Sequence, residues 1–225
     1  HHYVDHIMDN YSLRPIAAGV KRLLNNPDRT TASARLAATL ALSQATRATV
    51  GVDYQQHQHT LRQWTAADNM YSAIDVNAKT RTPDMTFENI GVFAEAMHQF
   101  NPRDRVVGGL RFDTLDVKNE KTTGSGALSS DTDRTKGAFL RHEHDFEIGL
   151  TADVGLGHAE RPADWWERST YNNFYLNPEK ATQLDAGLIY ADNRWRASLS
   201  AFYNRIDDFI LTRNDNTARN VNAST

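Results

Sequence analysis

Hydrophobic and polar residues alternate with a period of two through most of the chain. Along 194–203, Trp195, Ala197, Leu199, Ala201 and Tyr203 share one face while Arg194, Arg196, Ser198 and Ser200 share the other. That pattern predicts a half-buried strand. Leu184, Ala186, Leu188 and Tyr190 predict the strand before it, joined through a short hairpin at Asp192-Asn193. The same alternation carries Ile148, Leu150, Ala152, Val154 and Leu156, here against a polar face made small by Gly149, Gly155 and Gly157. Leu36 to Leu42 leads through Ser43-Gln44-Ala45 into Ala48, Val50, Val52 and Tyr54. Ile90 to Ala96 leads through Asn101-Pro102-Arg103 into Val106, Leu110 and Phe112. The pattern predicts about eight full strands with a partial one at either end, and no helix.

The connections alternate in length. Short turns fall near 43–46, 100–104, 145–147 and 192–193, and long polar segments near 58–85, 118–134, 159–180 and from 212 onward. This is the habit of an antiparallel transmembrane β-barrel, with short periplasmic turns and long extracellular loops. The stripe from Trp195 to Tyr203 spans roughly 20 Å at ~3.3 Å per residue and a tilt of ~40°, near the height of a lipid-facing band, with aromatics at both ends. The opposite face is Asp, Arg, Gln, Asn, Gly and Ser, which suits a wet or plugged lumen and not a packed barrel core. An antiparallel sandwich with one solvated face would show the same strands and stays open at this point.

Composition narrows the function. The 225 residues carry 25 Lys+Arg against 28 Asp+Glu, a formal net charge of −3, so no basic excess points to nucleic acid. The absence of cysteine excludes a disulfide framework or a thiolate zinc site. No apolar run approaches the ~18 residues of a transmembrane helix, a test that barrel strands escape. The opening His1-His2-Tyr3-Val4 has neither initiator Met nor the basic and apolar regions of a signal peptide, and reads as an internal piece or a processed product.

Two segments carry a family resemblance. Gly157-His158-Ala159-Glu160-Arg161-Pro162-Ala163-Asp164-Trp165-Trp166-Glu167-Arg168, followed by Leu176-Asn177-Pro178-Glu179 and the strand to Gly187, resembles the C-terminal barrel region of TonB-dependent outer-membrane receptors. There an Arg-x-Pro segment with a downstream Glu-Arg precedes an Asn-Leu-x-Pro-Glu type motif; Asp185 stands where many members carry Glu. The strand from Ser198 to Ile210 is similar to the next one of that family. At the other end, Asp5-His6-Ile7-Met8-Asp9-Asn10-Tyr11-Ser12-Leu13-Arg14, then Asn26-Pro27-Asp28-Arg29-Thr30-Thr31, is similar to the copper-receptor branch.

The resemblance implies that residues 1–225 are part of a barrel of about 22 strands, from which the plug domain and the remaining strands are absent. It implies a bacterial outer-membrane location, lipid around the barrel, a metal ion as substrate, and uptake driven by TonB in the periplasm. In the copper branch a His-x-Met of the barrel works with a Cys-x-x-x-Met of the plug, so the metal ligands implied here are His6 and Met8. Chemistry agrees: residues i and i+2 of a strand share a face, and a soft thioether beside an imidazole selects copper, as Cu(I), over hard cations. Two protein ligands are too few for tight binding, so other groups would complete the site. Two alternatives remain. One is a siderophore or other metallophore receptor on the same barrel, with Trp64, Tyr71, Trp165 and Trp166 as ligand contacts. The other is a non-transporting structural or adhesive β-protein.

His57-Gln58-His59 and His142-Glu143-His144 repeat the same-face geometry and could hold a divalent ion by imidazole, or stand as solvated histidines at a polar rim. His1 and His2 read as a residual tag or as the start of a truncated strand, and nothing chemical is built on them. Glu160, Asp164 and Glu167 could be read as acid/base carboxylates, but pairing with Arg161 and Arg168 to pin a loop is the simpler role. Gly124-Ser125-Gly126 lacks a following Lys and reads as a loop tip, not a phosphate cradle. No nucleophile, base and orienting group come together on the strand map, which disfavours an enzyme.

Overall fold

A computed structural model describes residues 2–13, 19–66, 76–122, 127–169, 173–213 and 219–223. His1, Arg14, Tyr71 and the Gly124-Ser125-Gly126 tip lie outside the described residues. The strands are β1 (His2–Asp5), β2 (Met8–Asp9), β3 (Arg22–Ala41), β4 (Thr46–Ala66), β5 (Thr82–Gln99), β6 (Asp104–Asn119), β7 (Ser130–Asp145), β8 (Leu150–Arg161), β9 (Glu179–Ala191), β10 (Arg196–Asp207), β11 (Phe209–Arg213) and β12 (Arg219–Ala223). Among the described residues, a 3-10 turn over Val76–Ala78 and a short α-helix, α1 (Trp165–Ser169), interrupt them, where the alternation predicts no helix.

β1 through β10 form a ten-stranded sheet in sequence order, with β1 and β2 both on β3, and β11–β12 pair separately. Neighbours in sequence are neighbours in space, the meander that hairpin-connected strands give. Eight strands are full length and β1/β2 are the partial ones at one end, as the alternation predicts. At the other end the expected partial strand is instead a separate hairpin.

The chain divides into two compact units. One comprises 34–54, 89–115 and 132–225. Its regular strands leave large apolar side chains open: Leu36 is 74% exposed and Leu199 70%. Val50, Ile90, Val92, Leu110 and Leu140 on the same stripes are exposed too. A soluble sandwich would bury these residues, whereas a membrane strand presents them to lipid, and the sandwich alternative falls on that point. The other face is a lattice of ion pairs. Arg35 and Arg111 both hold Asp53, Arg111 holds Asp113 at 2.6 Å, and Arg141 holds Asp153 at 3.3 Å. Gly51 and Gly109 make room on that face for phenyl rings, since a Cβ there would stand 2.5 Å from the Phe93 ring and 2.6 Å from the Phe139 ring.

The other unit comprises 1–33, 55–88 and 116–131, and buries Leu24, Met85, Phe87 and Val117 with the polar Asn26, Asp84 and Asn119. Here the structure corrects an expected boundary. β3 and β4 run 20 and 21 residues, about twice the 9–11 that cross a bilayer. Much of the polar sequence expected as loop is strand. Outside lipid, a backbone ladder is satisfied by strands of any side-chain polarity, so alternation marks only their lipid-facing part.

Candidate metal site

β1 and β2 are one strand in register. Asp5 lies opposite Asp28, and Met8 opposite Asn25, so each side contributes two residues to the interval. The ladder is interrupted there because Pro27 has no N–H to give; it accepts instead, from His6 N at 3.1 Å. The Asn26 side chain donates to the His6 carbonyl at 3.0 Å. With no residue inserted, His6 and Met8 keep the i, i+2 relation and share a face. His6 is exposed and Met8 half-buried.

The opposite face fixes this strand. Arg81 reaches Asp5 and Asp28 at 3.0 and 3.3 Å and donates to the Asn26 side-chain oxygen at 2.8 Å. Arg62 donates to the same Asn26 oxygen at 2.6 Å, Asn26 itself donates to Asp5, and Thr60 donates to Asp28. Burial raises the Asp5 pKa, and hydrogen bonds from Asn26 and Arg81 outweigh it to hold the carboxyl below its usual value.

The second histidine pair belongs to the His6/Met8 face. His2 lies opposite Thr31, whose hydroxyl is 2.9 Å from His57 Nδ1, and Gln63 donates at 2.7 Å to Asn25, the partner of Met8. His59 is only 9% exposed and packs edge-on to Phe87 with centroids 5.7 Å apart. It is a core residue of its unit, not a solvated rim. Burial and the Arg29 charge push His57 down, and push His59 to about 4. Both rings are neutral at physiological pH, yet the Arg29 charge beside them opposes a cation.

His142 and His144 do share a partner. His142 Nε2 and His144 Nδ1 stand 3.1 and 2.7 Å from the same oxygen of Asp104. Among the described residues, no group of three or more His, Cys, Asp or Glu is arranged to hold a metal ion.

The 159–180 segment is pinned much as its charges suggest. Asp164 and Glu167 cap α1 reciprocally, each side chain accepting the other's backbone N–H at 2.9 and 2.8 Å. Arg161 bridges Glu167 and Glu179 at 2.9 and 2.8 Å, and β9 begins at Glu179, just past Pro178. Arg168 has a different partner: it is buried, pairs with Asp133 of β7, and donates to the Phe174 carbonyl at 2.8 Å. Asp133, like Asp104, carries no signal in the sequence. The loop aromatics are partly used internally, Trp64 by Lys79 at 4.9 Å and Trp165 by Trp166 at 5.8 Å.

Among solved structures, the copper transporter OprC is 33% identical with a TM-score of 0.85, covering 98% of this chain and 36% of that one. The FrpB iron transporter from Neisseria meningitidis is 16% identical with a TM-score of 0.66, covering 89% of this chain and 32% of its own. The Serratia marcescens hemophore receptor HasR, solved with its hemophore HasA and heme, is 15% identical with a TM-score of 0.64, covering 98% and 40%. The last two likenesses show the fold alone, and the chain spans about a third of the length of these structures. No curated protein matches the sequence. Residues 3–225 match the family described as TonB dependent receptor-like, beta-barrel, and the chain belongs to that family of bacterial outer-membrane barrels.

Proposed function

We propose that this receptor takes up copper, with His6 and Met8 as the ligands on the barrel wall and Cu(I) as the preferred form. The observation that carries the reading is the likeness to the copper transporter OprC, at 33% identity over 98% of the chain. The unbroken register of β1, β2 and β3 supports it, because imidazole nitrogen and thioether sulfur then stand on one face. The remaining ligands would come from a plug domain, and release inward would be driven through TonB. As cargo the ion needs a site that holds it and lets it go, which suits two wall ligands completed by a movable part.

The test is elemental mass spectrometry of the full-length receptor, purified in detergent after exposure to copper. Near-stoichiometric copper in the wild type and its loss in Met8→Ala are expected. Equal copper in both, or none in either, would remove the His6/Met8 site and leave the metallophore alternative in possession of the barrel.

A further inference from the structure

From β6 to β10 the lipid-facing side changes its charge between one end of the strands and the other. On the short-turn side its acidic groups are Asp104, at the head of the β6 stripe, and Asp192, which accepts from Tyr190 of the same face at 2.9 Å. The arginines flanking Asp104 in sequence are already paired, Arg103 with Glu147 and Arg105 with Glu143. The long-loop side is different. There the stripe of β7 passes from Leu140 and Ala138 to Lys136 and Arg134, and that of β8 from Leu156 to His158 and Glu160. The stripe of β9 passes from Leu184 to Thr182 and Lys180, and that of β10 from Tyr203 to Arg205 and Asp207. The registers align these residues, Thr182 with His158 and Arg205, and Lys180 with Glu160 and Asp207. Past its last apolar residues, the face ends in a polar belt.

Most of the belt is satisfied from within. Lys180 holds Asp208 at 2.7 Å and Arg205 holds Asp207 at 3.0 Å. The Glu160 side chain is 8% exposed and accepts the backbone N–H of Lys136 at 3.1 Å, with His158 Nε2 at 3.4 Å. Two cations are left over. Arg134 and Lys136 are exposed, while Asp133 and Thr135, which alternate with them, are buried on the other face. Among the described residues, no carboxylate forms an ion pair with either cationic group. The belt then sets Arg134, Lys136, Lys180 and Arg205 against Glu160, Asp207 and Asp208, and its surplus positive charge lies on β7. One cation at the edge of a lipid band can be explained by snorkelling to water. Two on one strand face, roughly 6.6 Å apart at ~3.3 Å per residue, also match an anion with several oxygens held at headgroup depth.

We propose that Arg134 and Lys136 form a binding site for a phosphate of the lipid A part of lipopolysaccharide, a saccharolipid of the leaflet on the long-loop side. The planar guanidinium of Arg134 suits two phosphate oxygens at once, and Lys136 adds a compact charge beside it. The acyl chains lie along the stripes below, against Ala138, Leu140 and Leu156. The carboxylates at the other end of the same face would repel such a headgroup, so the charge on the strands matches one leaflet only. This site is independent of the cargo.

The experiment is native mass spectrometry of the full-length receptor, stripped of lipid in detergent and offered lipid A and its dephosphorylated form at equal concentration. Wild type should retain lipid A roughly 30-fold over the dephosphorylated form, the scale of two basic side chains at an anionic lipid surface. In Arg134→Gln/Lys136→Gln the preference should fall to within a few-fold of parity. Arg103→Gln/Arg105→Gln removes the same charge from the short-turn side and should leave the preference as in wild type; heat-modifiable migration checks that each variant is a folded barrel. Equal retention of the two lipids by wild type would overturn the proposal. So would a preference that survives in Arg134→Gln/Lys136→Gln, the outcome that snorkelling alone gives, or one that falls as far in Arg103→Gln/Arg105→Gln.

Discussion

His59 is a residue whose protonation and packing pull against each other. Held beside Phe87, with Arg29 near, its folded pKa is about 4 against 6.5 for the free side chain. Between those values the unfolded chain binds the extra proton and the folded chain does not, so stability falls as pH drops from ~6.5 towards ~4 and is fully present above that window. The contribution is on the order of 3 kcal/mol. Hydrogen exchange of the amides at 57–60 and 84–87 in the full-length receptor should be faster at pH 5 than at pH 7, and His59→Phe should flatten the difference. Equal protection at both pH values in the wild type would count against this account. Residues of this kind were poorly legible. His57-Gln58-His59 advertised itself by spacing, but its burial depends on β3 and β5, which no local pattern announces. The partners of His142 and Arg168 are 38 and 35 residues away, and nothing near Asp104 or Asp133 distinguishes them from any other surface carboxylate. His6 and Met8 stood out through the company they keep, an association that the register supports and does not test.

At the scale of elements, the described parts of the segment between β8 and β9 are pinned by one buried cation. α1 is a single turn, too short to hold itself, and its capping box satisfies only its first amides. Arg168 ties it to β7 through Asp133 and to the loop's return through the carbonyl of Phe174. Arg168→Ala would take the guanidinium away from buried Asp133 and from the Phe174 carbonyl, a loss of about 3–5 kcal/mol. The expected sign is cleavage of the 162–178 segment by added protease in a receptor whose barrel is still folded. Arg168→Met combined with Asp133→Leu should regain most of the resistance, because an apolar pair carries no buried charge. If Arg168→Ala resists protease as the wild type does, the ion pair is not what orders the loop. The strands themselves were legible wherever one face meets lipid, since only there does the environment force alternation. Where β3, β4 and β5 continue beyond the lipid, their polar sequences read as loop, and the extra length could not have been found by period.

For the molecule as a whole, the exposed stripes and the open ends of the sheet make one argument. Among the described residues, β3 over 34–41 is paired only with β4, and β10 only with β9, and in a bilayer an unpaired strand edge has no water to satisfy it. The 225 residues produced alone should therefore fail to reach the heat-modifiable, protease-resistant state of a closed barrel in detergent, whereas the full-length receptor should reach it. A folded, monomeric fragment would mean that these edges find another partner. The fold class was legible because turn lengths and stripe lengths both encode the bilayer; the cargo was not, because the proposed wall ligands would be half of a site.

The gap at Pro27 bears on what has to be inherited for such a site to persist. Facing in a strand is a matter of parity: each added or lost residue turns every side chain beyond it to the other side. His6 and Met8 stand where they do because the chain counts two residues against two across a position that cannot donate. A one-residue insertion between Asp5 and His6 would leave both proposed ligands in the sequence and turn them towards the face of Arg81 and Asp28. Two receptors could then share the His-x-Met letters and differ in cargo, and the letters alone would not tell them apart.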